Sequence, residues 1–462
     1  MTLIRTACVA LLLVAGSCAS AQVSLQSAVN LALRNSPRLR MAQAELDKAR
    51  AMRGEAKDAY VPVVVTQAGY GQSTGAPLGV PVVFSLSAQS LIFSYSQRDT
   101  LRATKASVEA AEHLFRKEQM DVVEDVTTTY LALDNALQRH KVVQDESAVA
   151  QRLVSITDDR VAAGVDANVE VPKAHRTATQ IKLVALQVSD EVAYNARHLA
   201  TLTGLPETGL VTDSASIPRW EVPAVIAQGA AAAGDGEGVA AVYSAAKAKL
   251  YLAFADRRYL FRPQVSLAAN YSRVDAGLSS YASYYPRFFG TATQPNSENS
   301  LSFGLQITVP LLDLAHRSRS RQSAAEAVRA LAEADLQRGN FRDGRAKLQN
   351  AAVELQLRAD LAGDEREIAQ DQIETLRIQL QADAGATQGP QANPKDLLSA
   401  QLQERQRSLD LLNVQLQLRQ TQVNLLRQRE SLETWVLGGA GNAPSTPATP
   451  TNTVLPVPAT RP

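Results

Sequence analysis

Residues 301–310, LSFGLQITVP, alternate strictly. Leu301, Phe303, Leu305, Ile307 and Val309 are apolar, whereas Ser302, Gly304, Gln306 and Thr308 are small or polar. A period of two marks a strand with one apolar and one wet face. Three related segments occur. PQVSLAANYS (263–272) puts Val265, Leu267, Ala269 and Tyr271 on one face, and VVFSLSAQ (82–89) does so with Val82, Phe84, Leu86 and Ala88. YVPVVVTQAGY (60–70) is less regular but ends alike. The rest of the chain is rich in Ala, Leu, Gln, Glu and Arg, the residues of long helices. These few strands therefore constrain the fold most, because their apolar face needs cover and their backbone needs partners.

The strands belong to an internal duplication. YVPVVVTQAGY aligns with FRPQVSLAANY at an offset of 201 residues, matching Pro62 with Pro263, Val64 with Val265 and Tyr70 with Tyr271. IFSYSQRDTLR aligns with LLDLAHRSRSR at 219, the difference falling in the long aromatic connection 272–299. A repeat of this length points to architecture rather than to a catalytic centre. Each copy is expected to carry a two-stranded hairpin.

After each hairpin comes a helical run. Leu101, Val108, Phe115 and Val122 recur every seven residues, followed by Val126, Tyr130, Leu133 and Leu137; Leu402, Leu409, Leu416 and Val423 repeat the pattern near the C-terminus. These are coiled-coil seams. A helix from Gln97 to Arg160 would be roughly 95 Å long and one from His316 to Ala384 similar, at 1.5 Å per residue. Gly339, Gly344 and Gly363 are expected to weaken or bend the second. Each run reverses at a tip: near 160–174, with Gly164 suited to a C-cap and Asn168 to an N-cap, and near 384–400, with Gly385 in the turn. The layout reads as a first repeat over 22–222, a second over 223–437 and a disordered Pro-rich tail over 438–462.

The N-terminus reads as a cleavable signal peptide over 1–21. A short basic start at Arg5 precedes an apolar stretch too short to span a bilayer, then Ala19-Ser20-Ala21. Cleavage removes Cys8 and Cys18, the only cysteines, so no disulfide or thiolate metal site is expected. Cys18 lacks the Leu-like residue three places earlier, and lipid anchoring there is not expected. Basic and acidic residues number 47 and 46, which gives no nucleic-acid signature. The five histidines (113, 140, 175, 198 and 316) are scattered, and no Gly-rich phosphate loop or G-x-S-x-G elbow occurs. No enzyme activity, metal or cofactor is expected.

An exported chain with amphipathic strands of about nine residues suits an outer-membrane β-barrel. Backbone groups in a bilayer need internal partners, so such a barrel must close. Four strands cannot close around a lumen, so the chain must oligomerise. Polar strand residues facing inward imply a wet channel, which the long helices would continue across the periplasm.

The chain resembles the TolC-like outer membrane efflux protein family over essentially its whole mature length. The resemblance is carried by SLQSAVNLALRNSPRLRMAQAELDKAR, YVPVV, FRPQVSL, TVPLLD, RVAAG with VEVPKA, ATLTGLP and NPKDLLSAQ. It implies a mainly α protomer with transmembrane β-strands, and a homotrimer with a 12-stranded barrel and a 12-helix tunnel. Implied partners are outer-membrane lipids, a periplasmic adaptor (membrane fusion protein) and an inner-membrane transporter of RND, ABC or MFS type. The implied role is a passive exit duct for efflux or type I secretion, opened by untwisting of the helical tips. In the family an Asp-rich segment lines the entrance at the second tip. Asp396 matches its first acid and Ser399 stands at the second; Glu170 falls where the first tip has an Asp, and Arg160 matches a tip Arg available for closing contacts. A ring of symmetry-related carboxylates would attract cations and favour raised pKa values. The competing reading makes Asp396 and Glu170 first-turn acids favoured by the helix dipole. For the chain as a whole the rival is a periplasmic coiled-coil adaptor with a small β-domain.

Overall fold

The computed structural model describes residues 22–69, 82–207, 210–218, 235–274, 299–383 and 393–438. The expected signal segment with Cys8 and Cys18, Gly385, the aromatic connection beyond Val274 and the tail after Gly438 lie outside these residues.

The duplication is visible in helix lengths. The first copy contains α1 (Leu25–Asn35), α2 (Pro37–Asp58, 22 residues), α3 (Tyr95–Ala162, 68 residues) and α4 (Glu170–Thr203, 34 residues). The second contains α5 (Glu237–Arg257, 21 residues), α6 (Leu314–Asp383, 70 residues) and α7 (Pro394–Gln428, 35 residues), followed by the short α8 (Leu432–Leu437). Each long helix spans about 100 Å. Local chemistry sets the starts. The Ser94 hydroxyl accepts the Gln97 N–H at 3.3 Å at the head of α3, and Asp313 Oδ1 accepts the His316 N–H at 2.9 Å at the head of α6. Pro37 and Pro394 occupy the first turns of α2 and α7, where a missing N–H costs nothing.

Helix α6 runs unbroken through Gly339, Gly344 and Gly363, against the expectation of a bend there. Each glycine weakens the helix by about 1 kcal/mol relative to Ala, and packing against α5 and α7 holds it. Asn168 is not a cap either: Val169 takes the N-cap position of α4 and makes no side-chain bond.

The helices meet along alanine seams. Ala103, Ala106 and Ala110 of α3, Ala246, Ala248 and Ala253 of α5, and Ala327, Ala330 and Ala334 of α6 are all buried. Side chains this small let helix axes approach closely. Further along α3, the coiled-coil residues form a larger core in which Val122, Val126, Tyr130 and Leu133 pack with Leu25 and Val29 of α1, Leu199 of α4, Val423 of α7 and Val436 of α8. Tyr130 is fully buried, and its hydroxyl lies 2.7 Å from the Val23 carbonyl and accepts the Asp213 N–H at 2.8 Å. Val23 belongs to β1 (Gln22–Val23) and Asp213 follows β4 (Val211–Thr212), and the two strands pair in parallel, so one phenol fastens both onto α3. Arg427 closes the other side, reaching Asp121 at 2.9 Å and Glu124 at 2.7 Å.

The remaining strands are β2 (Val63–Ala68), β3 (Val82–Ser94), β5 (Gln264–Val274) and β6 (Asn299–Thr308). They do not stay as two separate hairpins. All four join one antiparallel sheet in the order β2-β3-β5-β6.

Candidate functional site

Two places in the fold hold the candidate residues and the unpaired strands: the sheet and the helical tips.

In the sheet, the register lines up the faces read from the sequence. Thr66, Leu86, Tyr271 and Leu301 form one cross-strand row, Val64, Ala88, Ala269 and Phe303 the next, and Phe93, Val265 and Ile307 a third. The opposite face carries Val65, Ser87, Asn270 and Ser302 in one row and Ser94, Gln264 and Thr308 in another. A β-bulge between Leu91 and Phe93 shifts the alternation by one residue. It returns Phe93 to the apolar face, where it meets Tyr95 edge-on at 4.8 Å. Every residue of β6 is exposed, with Leu301, Phe303, Leu305 and Ile307 each more than 60% exposed. Among the described residues the outer edges of β2 and β6 have no strand partner. In water such an edge beside such a face would aggregate.

At the other end, α3 closes in a Schellman motif. The Val165 N–H returns to the Arg160 carbonyl and the Gly164 N–H to the Val161 carbonyl, both at 2.9 Å. Gly164 sits at φ +75°, a left-handed conformation that suits glycine. The Arg160 guanidinium forks onto Asp166 at 3.0 and 3.1 Å, raising the Arg160 pKa and lowering that of Asp166. Glu170, at the start of α4, receives Lys173 at 2.7 Å and Lys395 at 2.5 Å, and these two ammonium groups lower its pKa. Lys395 also lies 3.8 Å from Asp166. It is fixed at the head of α7 because the Asn393 side chain caps its N–H at 3.0 Å.

The candidate residues thus fall into two groups. Arg160 and Glu170 lie in a network that ties the first tip to the second within one protomer. Asp396 and Ser399 are exposed, with the Ser399 hydroxyl on the Asp396 carbonyl at 2.8 Å; Asp396 reaches Arg160 only through its field. Within the protomer Glu170 moves opposite to the raised value a carboxylate ring would favour, because two cations are nearer than any acid. Asp166 and Lys395 were missed by sequence reasoning. The signal for Asp166 was local, an acid six residues after Arg160 across a glycine turn; that for Lys395 was not, since its partner is 225 residues away.

A family model described as "Outer membrane efflux protein" matches residues 28–205. That match spans less than half of the chain. The chain's fold is similar to the outer membrane channel CmeC of Campylobacter jejuni, with a TM-score of 0.69 at 16% identity over 88% of this chain and 86% of that one. It is likewise similar to the outer membrane protein VceC of Vibrio cholerae, with a TM-score of 0.68 at 19% identity over 89% and 96% of the two chains. Protein CyaE of Bordetella pertussis is 27% identical over 325 residues, which span 68% of this chain and 66% of that protein, just under two thirds of its length.

Proposed function

We propose that this chain is the outer-membrane exit duct of a tripartite efflux or type I secretion system, acting as a passive channel and not as an enzyme. The observation that carries the reading is the open four-stranded sheet, apolar on one face, polar on the other and unpaired at both edges among the described residues. Three copies joined edge to edge, β6 to β2, supply twelve strands with the apolar face toward lipid and Ser302, Gln306, Thr308, Gln264 and Asn270 toward water. The helices of the same three copies, packed side by side through apolar residues left exposed on α6 such as Leu357, Leu361 and Ile368, continue the lumen as a twelve-helix periplasmic tunnel. A periplasmic adaptor and an inner-membrane transporter then meet the tips, where the Arg160–Asp166 and Lys395–Glu170 links hold each protomer closed until the helices untwist. Asp396, left out of those links, is the carboxylate available to face the entrance.

The rival, a periplasmic adaptor with a small β-domain, is disfavoured because strands of both repeats share one sheet whose apolar face nothing in the protomer covers among the described residues. Outer membranes from expressing cells are extracted in SDS without heating. A band at three times the protomer mass, which collapses on boiling and forms channels in planar bilayers, is the expected result; a soluble periplasmic monomer overturns it. In the same bilayers D396N should lower cation preference, and unchanged conductance and preference would remove Asp396 from the entrance.

A further inference from the structure

Charge is balanced over the whole chain, with a surplus of one basic residue, but it is not spread evenly. The four places where strand meets helix are the end of α2, the start of α3, the end of α5 and the start of α6. Their segments 53–58, 95–105, 249–262 and 313–321 hold twelve lysines and arginines against five carboxylates. A surplus of seven positive charges per protomer is thus concentrated within about three turns of the strand ends, and the remainder of the chain is net acidic. Few of these cations are neutralised. Asp99, itself buried, takes Arg258 at 2.7 Å and Arg102 at 3.2 Å. Arg98, Arg257, Arg317, Arg319 and Arg321 are exposed, and no carboxylate lies within 4 Å of them among the described residues.

The belt is continuous with the apolar face of the sheet. Phe93 ends that face, Tyr95 stacks edge-on against it, and the Arg262 guanidinium lies 5.0 Å over the Tyr95 ring. Next to it Phe261 is 70% exposed and held at φ +59°, a conformation that bulky side chains avoid, by its N–H bond to the Pro310 carbonyl at 3.0 Å. Leu311 and Leu312 stand beside it at 67% and 82% exposure. An aromatic and leucine ring followed at once by unpaired arginines is the order of chemistry met on crossing from hydrocarbon to headgroups.

Resting on the barrel reading above, we propose that this belt binds anionic glycerophospholipid headgroups of the leaflet that faces the helices. Arg262, Arg257 and Arg98 contact the phosphates, and Phe261 and Tyr95 lie at the acyl boundary. The belt sets the depth of the barrel in the membrane and uses bound lipid to relieve the repulsion among three copies of a strongly positive collar.

The test uses the full-length trimer in phosphatidylcholine nanodiscs with or without phosphatidylglycerol, reading the temperature at which the trimer dissociates. Phosphatidylglycerol should raise that temperature for the wild type. The gain should disappear in R98Q/R257Q/R262Q and in about 0.5 M salt, where the Debye length shrinks toward the contact distance, while R262K keeps it. Equal stability in the two lipids, a gain that survives the triple substitution, or a gain reproduced by inorganic phosphate alone would overturn the proposal. If the triple variant does not assemble, native mass spectrometry of the wild-type trimer decides: preferential retention of phosphatidylglycerol over phosphatidylcholine supports the belt, and equal retention removes it. Failure of the barrel reading is separate, since no trimer or channel would then form in phosphatidylcholine itself.

Discussion

Lys395, at the head of α7, reaches Asp166 and Glu170 of the first tip, more than 220 positions away in the chain. K395Q is expected to loosen the first tip from the second and to raise single-channel open probability in planar bilayers. Asp166 and Glu170 titrate below their ordinary values because cations hold their charged forms. Their links are therefore fully present above the ordinary carboxylate range and are lost only as pH falls through the lowered values. Conductance should stay flat from pH 7 down to that ordinary range, about 4, and rise only below it. Glu146 behaves oppositely. It is 2% exposed on α3, and burial raises its pKa to about 6 despite the field of Arg405. Its ionised form is the one penalised in the fold, so the penalty is absent well below the unfolded value, grows between about 4.5 and 6, and is complete above. E146Q should stabilise the folded chain by about 2 kcal/mol at pH 8, since each tenfold change in proton affinity is worth about 1.4 kcal/mol. Below about pH 4 the same substitution should leave stability unchanged, and thermal midpoints at the two pH values check this. Gly164 was legible at this scale because a glycine after a helical run has one common use. The partners of Glu170 and the burial of Glu146 were not, since neither depends on sequence neighbours.

Among elements, the seam of α3, α5 and α6 depends on alanine. A246L would force a branched side chain into a gap sized for a methyl group, and overpacking of this kind costs about 1–3 kcal/mol. A lowered thermal midpoint and earlier proteolysis within α5 are the expected readouts, with a wild-type profile ruling the tight seam out. The helices themselves were readable. The heptads predicted α3 to within two residues at either end, and seam residues Val108, Val122, Val126, Tyr130 and Leu133 are buried. Glycines were a poorer guide, because isolated glycines in α6 are outweighed by packing along the rest of its length. The bulge beside Ile92 left no mark in the alternation that could be told from an ordinary strand end.

For the assembled molecule, the two faces of the sheet should respond differently to charge. On the barrel reading proposed above, F303D places a carboxylate on the lipid face, at a cost below the roughly 2–4 kcal/mol of a basic residue at the midplane, and should divert the protein from the outer-membrane fraction. Q306K, on the polar face, should leave assembly intact and shift ion preference toward anions. Fractionation followed by bilayer recording separates the two, and equal behaviour would mean the faces are misassigned.

Local periodicity was enough to settle which residues share a face, where the long helices run and that four strands are too few to close, because periods of 2 and 3.5 are properties of the backbone over a few residues. Three-dimensional packing was needed to pair β3 with β5 and merge two hairpins into one sheet. The same packing set Lys395 against Glu170 and gathered scattered arginines at one level. Those outcomes depend on bringing together residues far apart in the chain, and no local pattern records which distant group will arrive.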